Sequence, residues 1–294
     1  MSYVISTDTS ANLPDAMIEQ NDLVLIPFSY IENGEEKQCL KLEEFDAESY
    51  YRSIRGKVPH TSMINIDQYL NAWEPLLKEG KDVLHISMSS GISGAYNASV
   101  AAAEQLYETY PERTVITVDT RAASLGEGLQ VLKACEMKKN GASIEEVEKY
   151  LLALRTHMKQ IFTVDDLMHL KRGGRLSGGI ALLGTVLHIK PVLIGNELGQ
   201  IIAVDKVRGK KAALTELFKD YEKKVADPAN DLAGIAHCGC FADAKALSDD
   251  IQKCHPEQQV LIVDYEPVTG CHVGPGAVAL FFFRDITKET EEHK

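Results

Sequence analysis

Val83-Leu84-His85-Ile86-Ser87-Met88-Ser89-Ser90-Gly91-Ile92-Ser93-Gly94-Ala95-Tyr96-Asn97 reads as a strand, a loop of small residues and the first turn of a helix. Val83, Leu84 and Ile86 suit a buried strand. Ser89 to Gly94 carries almost no side-chain bulk, so a ligand can come close to its backbone. The following run is alanine-rich, with helical apolar spacing at Ala98, Ala101, Ala102 and Leu106. A helix N-terminus presents unpaired N–H groups and a partial positive charge, which suits an anion. Ser93 is placed to be both N-cap and hydroxyl donor. The same pattern serves plain helix capping, and this segment alone favours neither use.

Strand and helix alternate around it. Residues 3–7 and 23–28 read as strands, and Glu32-Asn33-Gly34-Glu35 as a hairpin turn with 37–40 returning. Residues 43–54 read as helix, with Phe45, Tyr50 and Ile54 inward. Pro59-His60-Thr61-Ser62 reads as a loop. A helix capped by Asn65 and Gln68 follows, kinked or ended by Pro75. Residues 114–118 form a strand and 125–139 a helix stopped by Asn140-Gly141. Ser143 with Glu146 opens a helix running to about His157. This alternation predicts a largely parallel sheet with helices on its faces, and ligands beyond the carboxyl ends of its strands. Ser10, Thr61, Ser93 and Asp119 all fall just after strands or in loops between elements.

The second half is mixed. Strands are expected at 160–164, 191–194, 200–207, 232–237, 260–263 and 277–283, and helices at 165–170, 177–188, 210–224 and 242–251. The helix over 177–188 is apolar nearly all round, so Ile180, Leu183, Val186 and Leu187 belong either to ordinary core or to a cavity wall. Gly270-Cys271-His272-Val273-Gly274-Pro275-Gly276 reads as a loop. The expected fold class is α/β with two domains: 1–158, a parallel-sheet α/β domain, and 159–294, a mixed α+β domain.

The chain has 294 residues and a net charge of −12, which argues against nucleic acid or an anionic membrane as partner. Residues 156–211 run the other way, with nine Lys/Arg against four Asp/Glu. That segment could face an acidic partner or a phosphate, or be no more than a basic surface. Met1-Ser2-Tyr3 has no basic n-region, and the apolar run breaks at Asp8, so no signal peptide is read. The longest apolar run, 178–189, is too short to span a bilayer. Six scattered cysteines are expected as thiols in a cytoplasm. Cys238-Gly239-Cys240 is too tightly spaced for a redox or zinc motif and reads as buried structural cysteine.

Three polar clusters could converge on one carboxylate or phosphate: His60-Thr61-Ser62, the loop with Ser93 and Gly94, and the loop with His272. Five blocks then stand in the order of the DegV family. They are Thr61-Ser62-Met63-Ile64-Asn65, Ser89-Ser90-Gly91-Ile92-Ser93-Gly94-Ala95-Tyr96-Asn97, Lys171-Arg172-Gly173-Gly174-Arg175-Leu176-Ser177, Lys206-Val207-Arg208-Gly209-Lys210 and His272-Val273-Gly274-Pro275-Gly276. The chain resembles that family over essentially its whole length, with Asn65 where the family's first block ends in serine.

The resemblance implies a fatty-acid-binding protein rather than an enzyme. It implies two α/β domains, an apolar tunnel for the acyl chain, and a carboxylate held by Thr61 and Ser93, with Ser62 and Gly94 beside them and His272 as a further donor. Palmitate, stearate or oleate would be the ligand. Some DegV-like proteins are the acyl-carrying subunit of bacterial fatty acid kinase, in which a separate ATP-dependent subunit phosphorylates the carboxylate. Arg172, Arg175, Lys206 and Arg208 would then meet that partner or the phosphate.

The residues themselves suit this reading. A carboxylate at the mouth of an apolar tunnel must be hydrogen-bonded, and each buried CH2 adds about 0.8 kcal/mol. No metal or cofactor is needed. The alternative is a serine hydrolase with Ser93 as nucleophile and His272 as base. Gly91-Ile92-Ser93-Gly94-Ala95 fails G-x-S-x-G at its last position, and Asp264 precedes His272 by only eight residues. A nucleotide-binding enzyme is the third reading, and the chain has no G-x-x-x-x-G-K-[ST].

Overall fold

The structure is a computed structural model describing residues 2–32, 34–57, 60–178 and 188–287. In chain order the elements are β1 (Tyr3–Asp8), α1 (Asp15–Gln20), β2 (Val24–Ile26), β3 (Ser29–Glu32), β4 (Glu35–Gln38), α2 (Ala47–Ser53), β5 (Thr61–Ser62), α3 (Ile66–Lys78), β6 (Asp82–Ser87), α4 (Ala95–Thr109), β7 (Val115–Asp119), α5 (Leu125–Lys139) and α6 (Ile144–Leu154). They continue as β8 (Met158–Thr163), α7 (Leu167–Arg172), β9 (Ile189–Gly195), β10 (Ile201–Arg208), α8 (Lys210–Lys224), β11 (Ala233–His237), α9 (Phe241–Cys254), β12 (Val260–Asp264), α10 (Pro267–Val273) and β13 (Val278–Phe283).

The chain divides into two compact units, Met1–Phe45 with His60–Thr156, and Asp46–Pro59 with His157–Lys294. The sequence reading assigns 46–59 to the first domain. The structure packs them with the second, where Tyr51 donates to the Tyr265 carbonyl at 2.5 Å.

The first unit is built on a parallel sheet in the order β2-β1-β6-β7. Every residue of β6 is buried, so both sheet faces are covered. α3 and α4 pack together and on the sheet, as do α5 and α6. α3 presents Tyr69, Trp73 and Leu77 inward at helical spacing. That buried face carries the helix through Pro75, which sits on the solvent side, so Pro75 does not end it. Thr61 and Ser62 are also not loop: they form β5, which pairs antiparallel with β3 beside the β3–β4 hairpin.

The second unit holds a mixed sheet in the order β10-β9-β8-β13-β11-β12. Leu217 and Tyr221 of α8 and Ala244, Leu247 and Ile251 of α9 pack on Ile161, Ile235, Val278, Leu280 and Phe282. Tyr221 donates to Gln258 Oε1 at 2.6 Å inside that core. Tyr221→Phe should cost about 1–3 kcal/mol in chemical denaturation, because it leaves a buried acceptor unmet.

Other boundaries move for local reasons. The helix expected over 43–54 starts only at Ala47, because Asp46 caps it by accepting from the Ser49 amide. Its buried aromatics are Tyr50 and Tyr51, with Phe45 and Ile54 only half-buried. α6 ends at Leu154 rather than near His157. α7 begins after Asp166, which caps Met168, and runs on through Lys171 and Arg172, past the 165–170 expected from sequence. The stretch 270–273 is helix, not loop, because Glu266 caps the amides of Val268 and Thr269 and Pro267 opens the first turn. Ile180, Leu183, Val186 and Leu187 lie outside the described residues.

Candidate functional site

The loop 88–94 leaves the carboxyl end of β6 and is held by partners distant in sequence. Met88 donates to Asp8 Oδ2 at 3.1 Å and Ser89 to the Ala122 carbonyl at 2.8 Å. Ser90 is clamped twice by Asp119, with N to Oδ1 at 3.1 Å and Oγ to Oδ2 at 2.6 Å. Asp119 also accepts the Arg121 amide at 3.0 Å. The amides of Ile92 and Ser93 both turn back to the Ser89 carbonyl at 3.2 Å. The loop is thus a built cradle, and the β7–α5 connection supplies one of its walls.

Ser93 is not the N-cap itself. Gly94 holds that position, and Ser93 Oγ accepts from the Ala95 amide at 3.2 Å. A hydroxyl whose lone pair is taken by an amide has its proton left to give, which is the state an anion needs. Gly94 has a steric duty too. A Cβ there would lie 2.9 Å from Met63 Sδ, so glycine lets the segment after Thr61 and Ser62 close on the loop. The structure therefore brings Thr61, Ser62, Ser93 and Gly94 into one region of the first unit. A separate cavity of about 840 Å³, lined by Leu106, Tyr107 and Val115 among others, lies along the other half of α4.

Arg155 donates to the Asp119 carbonyl at 3.0 Å, and burial together with neighbouring Arg121 draws its pKa down. Asp119 was legible only as a residue following a strand. Its clamp on Ser90, and the part of Asp8 under Met88, were not signalled by any spacing.

In the second unit His272 sits on the last turn of α10 and is 8% exposed. The helix is held from several sides. His169 Nε2 donates to the Cys271 carbonyl, which fixes the tautomer, since a carbonyl only accepts. Gly274 has φ of +84°, and a Cβ there would press on the His169 ring at 2.8 Å. Lys210 donates to the Gly276 carbonyl, and its ammonium and that of Lys190 meet Asp165 at 3.3 and 2.7 Å. Burial pushes the Asp165 carboxyl up, but the two lysines outweigh it and hold it below the usual range.

The basic residues fall into separate places. Arg172 pairs with Asp166 at 3.2 Å, and Arg175 donates to the Gly173 carbonyl at 2.6 Å. Leu176 bridges to Ile201 at the start of β10. Lys206 and Arg208 share one face of that edge strand but lie roughly 17–23 Å farther along it. All four belong to the second unit, while Thr61, Ser62, Ser93 and Gly94 belong to the first.

The hydrolase arrangement finds no support. Asp264 Oδ1 lies 3.0 Å from His237 Nδ1, so the carboxylate nominated for His272 faces another histidine. Ser93 has no histidine bonded to it among the described residues. None of the six cysteines forms a disulfide; Cys238 and Cys271 are buried, with Cys240 half-buried. No group of three metal-ligating side chains occurs among the described residues, and no described helix is long and apolar enough to cross a membrane.

A two-unit α/β protein with a serine-glycine cradle at the head of a helix is the class that fold and site define. The family described as "Uncharacterised protein, DegV family" matches residues 2–285, and the chain belongs to it. A DegV domain-containing protein of Clostridium perfringens is 38% identical, covering 98% of this chain and 99% of its own. Among solved structures, a DegV family protein from Thermus thermophilus described for its fatty acid binding is 28% identical, with TM-score 0.85, covering 97% of this chain and all of that one. DegV of Bacillus subtilis, described as a fatty acid binding protein, is 28% identical with TM-score 0.83 and the same coverage.

Proposed function

We propose that this protein binds one long-chain fatty acid, such as palmitate, stearate or oleate, and holds its carboxylate with the hydroxyls of Thr61 and Ser93. Ser62 and Gly94 shape the same cradle. The observation that carries this reading is the Ser93 hydroxyl, whose acceptor side is taken by Ala95 and whose proton remains to be given. The fatty acid binding described for the Thermus thermophilus and Bacillus subtilis relatives supports it. The chain itself does no chemistry in this reading. It presents the carboxylate in the cytoplasm to an ATP-dependent fatty acid kinase partner, met by Arg172, Arg175, Lys206 and Arg208.

Native mass spectrometry of the purified protein, followed by denaturing lipid extraction, tests the reading. A mass excess of one fatty acid is expected. A protein that carries no lipid and takes up neither palmitate nor oleate would refute it. Ser93→Ala and Thr61→Ala should each weaken oleate binding roughly tenfold to a hundredfold, as loss of a hydrogen bond to a charged group does. Affinity unchanged in both variants would move the head group elsewhere. Charge reversal at Arg172 or Arg208 should impair acyl-phosphate formation with a kinase subunit and spare oleate binding.

A further inference from the structure

Asp8 and Glu127 are wholly buried, and neither forms an ion pair among the described residues. Asp8 ends β1. Its Oδ1 accepts the Ser10 amide at 2.9 Å and lies 2.5 Å from Ser10 Oγ, and its Oδ2 accepts the Met88 amide at 3.1 Å. Glu127 stands in the first turn of α5. Its Oε2 lies 2.6 Å from the same Ser10 Oγ, and its Oε1 lies 3.0 Å from Thr7 Oγ1, whose other neighbour is the Ile86 carbonyl at 2.9 Å.

A hydroxyl has one proton. Ser10 touches two carboxyls at hydrogen-bond distance, so it donates to one and must accept from the other. An ionised carboxylate only accepts, so one of the pair is protonated. Asp8 receives two backbone amides, which favour a charge there, and Glu127 receives none.

We infer that Asp8 and Glu127 keep a proton between them at neutral pH, carried by Glu127, each of whose oxygens faces a hydroxyl that has a second acceptor: Asp8 Oδ1 for Ser10 and the Ile86 carbonyl for Thr7. The Glu127–Ser10–Asp8 link positions the head-group loop by fixing the Asp8 carboxylate, whose Oδ1 meets Ser10 and whose Oδ2 receives Met88, a consequence that rests on the fatty-acid reading above.

The groups facing the pair leave it uncompensated. Tyr69 of α3 is held un-ionised, chiefly by burial and then by Asp8 and Glu127 themselves. His85 of β6, 5.1 Å from the Tyr69 ring, is drawn by burial to a pKa of about 3 and is neutral. Burial raises Asp8 to about 6 and Glu127 well above the usual carboxyl range. A carboxyl raised in the folded state adds no penalty at low pH and costs stability as pH rises. The folding constant falls tenfold per pH unit for each proton the folded chain keeps and the unfolded chain loses.

Infrared spectroscopy of the full chain at pH 7 is the direct test. A band from an un-ionised carboxyl is expected in the wild type and absent in Glu127→Gln. Denaturation from pH 5 to 7 should show the wild-type folding constant falling about tenfold more per pH unit than that of Glu127→Gln. Glu127→Leu should weaken oleate binding at least tenfold, and Glu127→Gln, which can still donate to Ser10, should recover most of it. A wild type without the band, a band persisting in Glu127→Gln, or parallel pH profiles would overturn the shared proton. Oleate binding by Glu127→Leu at the wild-type level would overturn the positioning role. Failure of every form to bind oleate would refute the fatty-acid reading alone, because band and proton count are read without ligand.

Discussion

Gly270→Ala should destabilise the protein by roughly 3–4 kcal/mol, although alanine is the better helix former by about 1 kcal/mol. Gly270 lies inside α10, and a Cβ built on it falls 1.9 Å from Tyr51 Oη, 2.7 Å from Cζ and 2.8 Å from Cε1. Tyr51 has nowhere to retreat. Its hydroxyl donates to the Tyr265 carbonyl at 2.5 Å with Glu266 O at 3.3 Å, its ring meets the Tyr50 ring at 5.4 Å, and 2% of it is exposed. Burial, and after it Cys238, raises its pKa far above the usual value, so it stays a neutral donor. Admitting the methyl group means shifting a packed ring, at about 1–3 kcal/mol, and breaking a buried hydrogen bond, at about 1–3 kcal/mol. Equilibrium denaturation measures the loss. In a Tyr51→Phe background the 1.9 Å clash is gone, so the cost of the alanine should shrink, and a double-mutant cycle reads that coupling. A loss under about 1 kcal/mol in the wild-type background would mean that α10 moves aside freely.

The same residue explains why α10 was missed. A stretch with glycine at 270, 274 and 276 reads as irregular chain, yet Gly270 is there for contact and not for conformation: only Gly274 and Gly276 have positive φ. Helix starts were legible where the signal is local. Asn65 with Gln68 and Ser143 with Glu146 both form the reciprocal capping boxes that residues three apart announce. Asp46, which opens α2 and moves its inward face from Phe45 to Tyr51, has no such partner and went unread. β6, the loop and α4 were legible because one apolar run, one run of small residues and one alanine-rich run follow in order. What holds the loop was not, since the Asp8 and Asp119 carboxylates reach it from 80 and 29 residues away. A hydrophobic period records which face is buried and carries no trace of such polar partners.

Asp119 is where this missing information should have its largest functional effect. Asp119→Ala is expected to cost about 2–3 kcal/mol and to weaken oleate binding at least tenfold. The carboxylate takes three donors at once: the Ser90 amide, the Ser90 hydroxyl and the Arg121 amide. Arg121 has φ of +53°, a conformation that a non-glycine residue holds only when its surroundings insist. Each buried donor left without an acceptor costs about 1–3 kcal/mol. Ser90 is exposed, so water recovers part of that loss. The loop then keeps its fold near Ser89, which is tied to Ala122, and loses its hold at Ser90, three residues before the Ser93 hydroxyl. Asp119→Asn gives the contrast. Its carbonyl oxygen still takes the two amides, and its NH2 meets a Ser90 hydroxyl that can turn to accept, so most of the stability and affinity should return. Calorimetry with oleate, run beside denaturation of the same three proteins, separates the outcomes. If alanine and asparagine lose affinity equally, the charge of Asp119 matters rather than its acceptors. If neither loses affinity, the loop does not need its clamp, and the head group is held by the Thr61 side of the cradle.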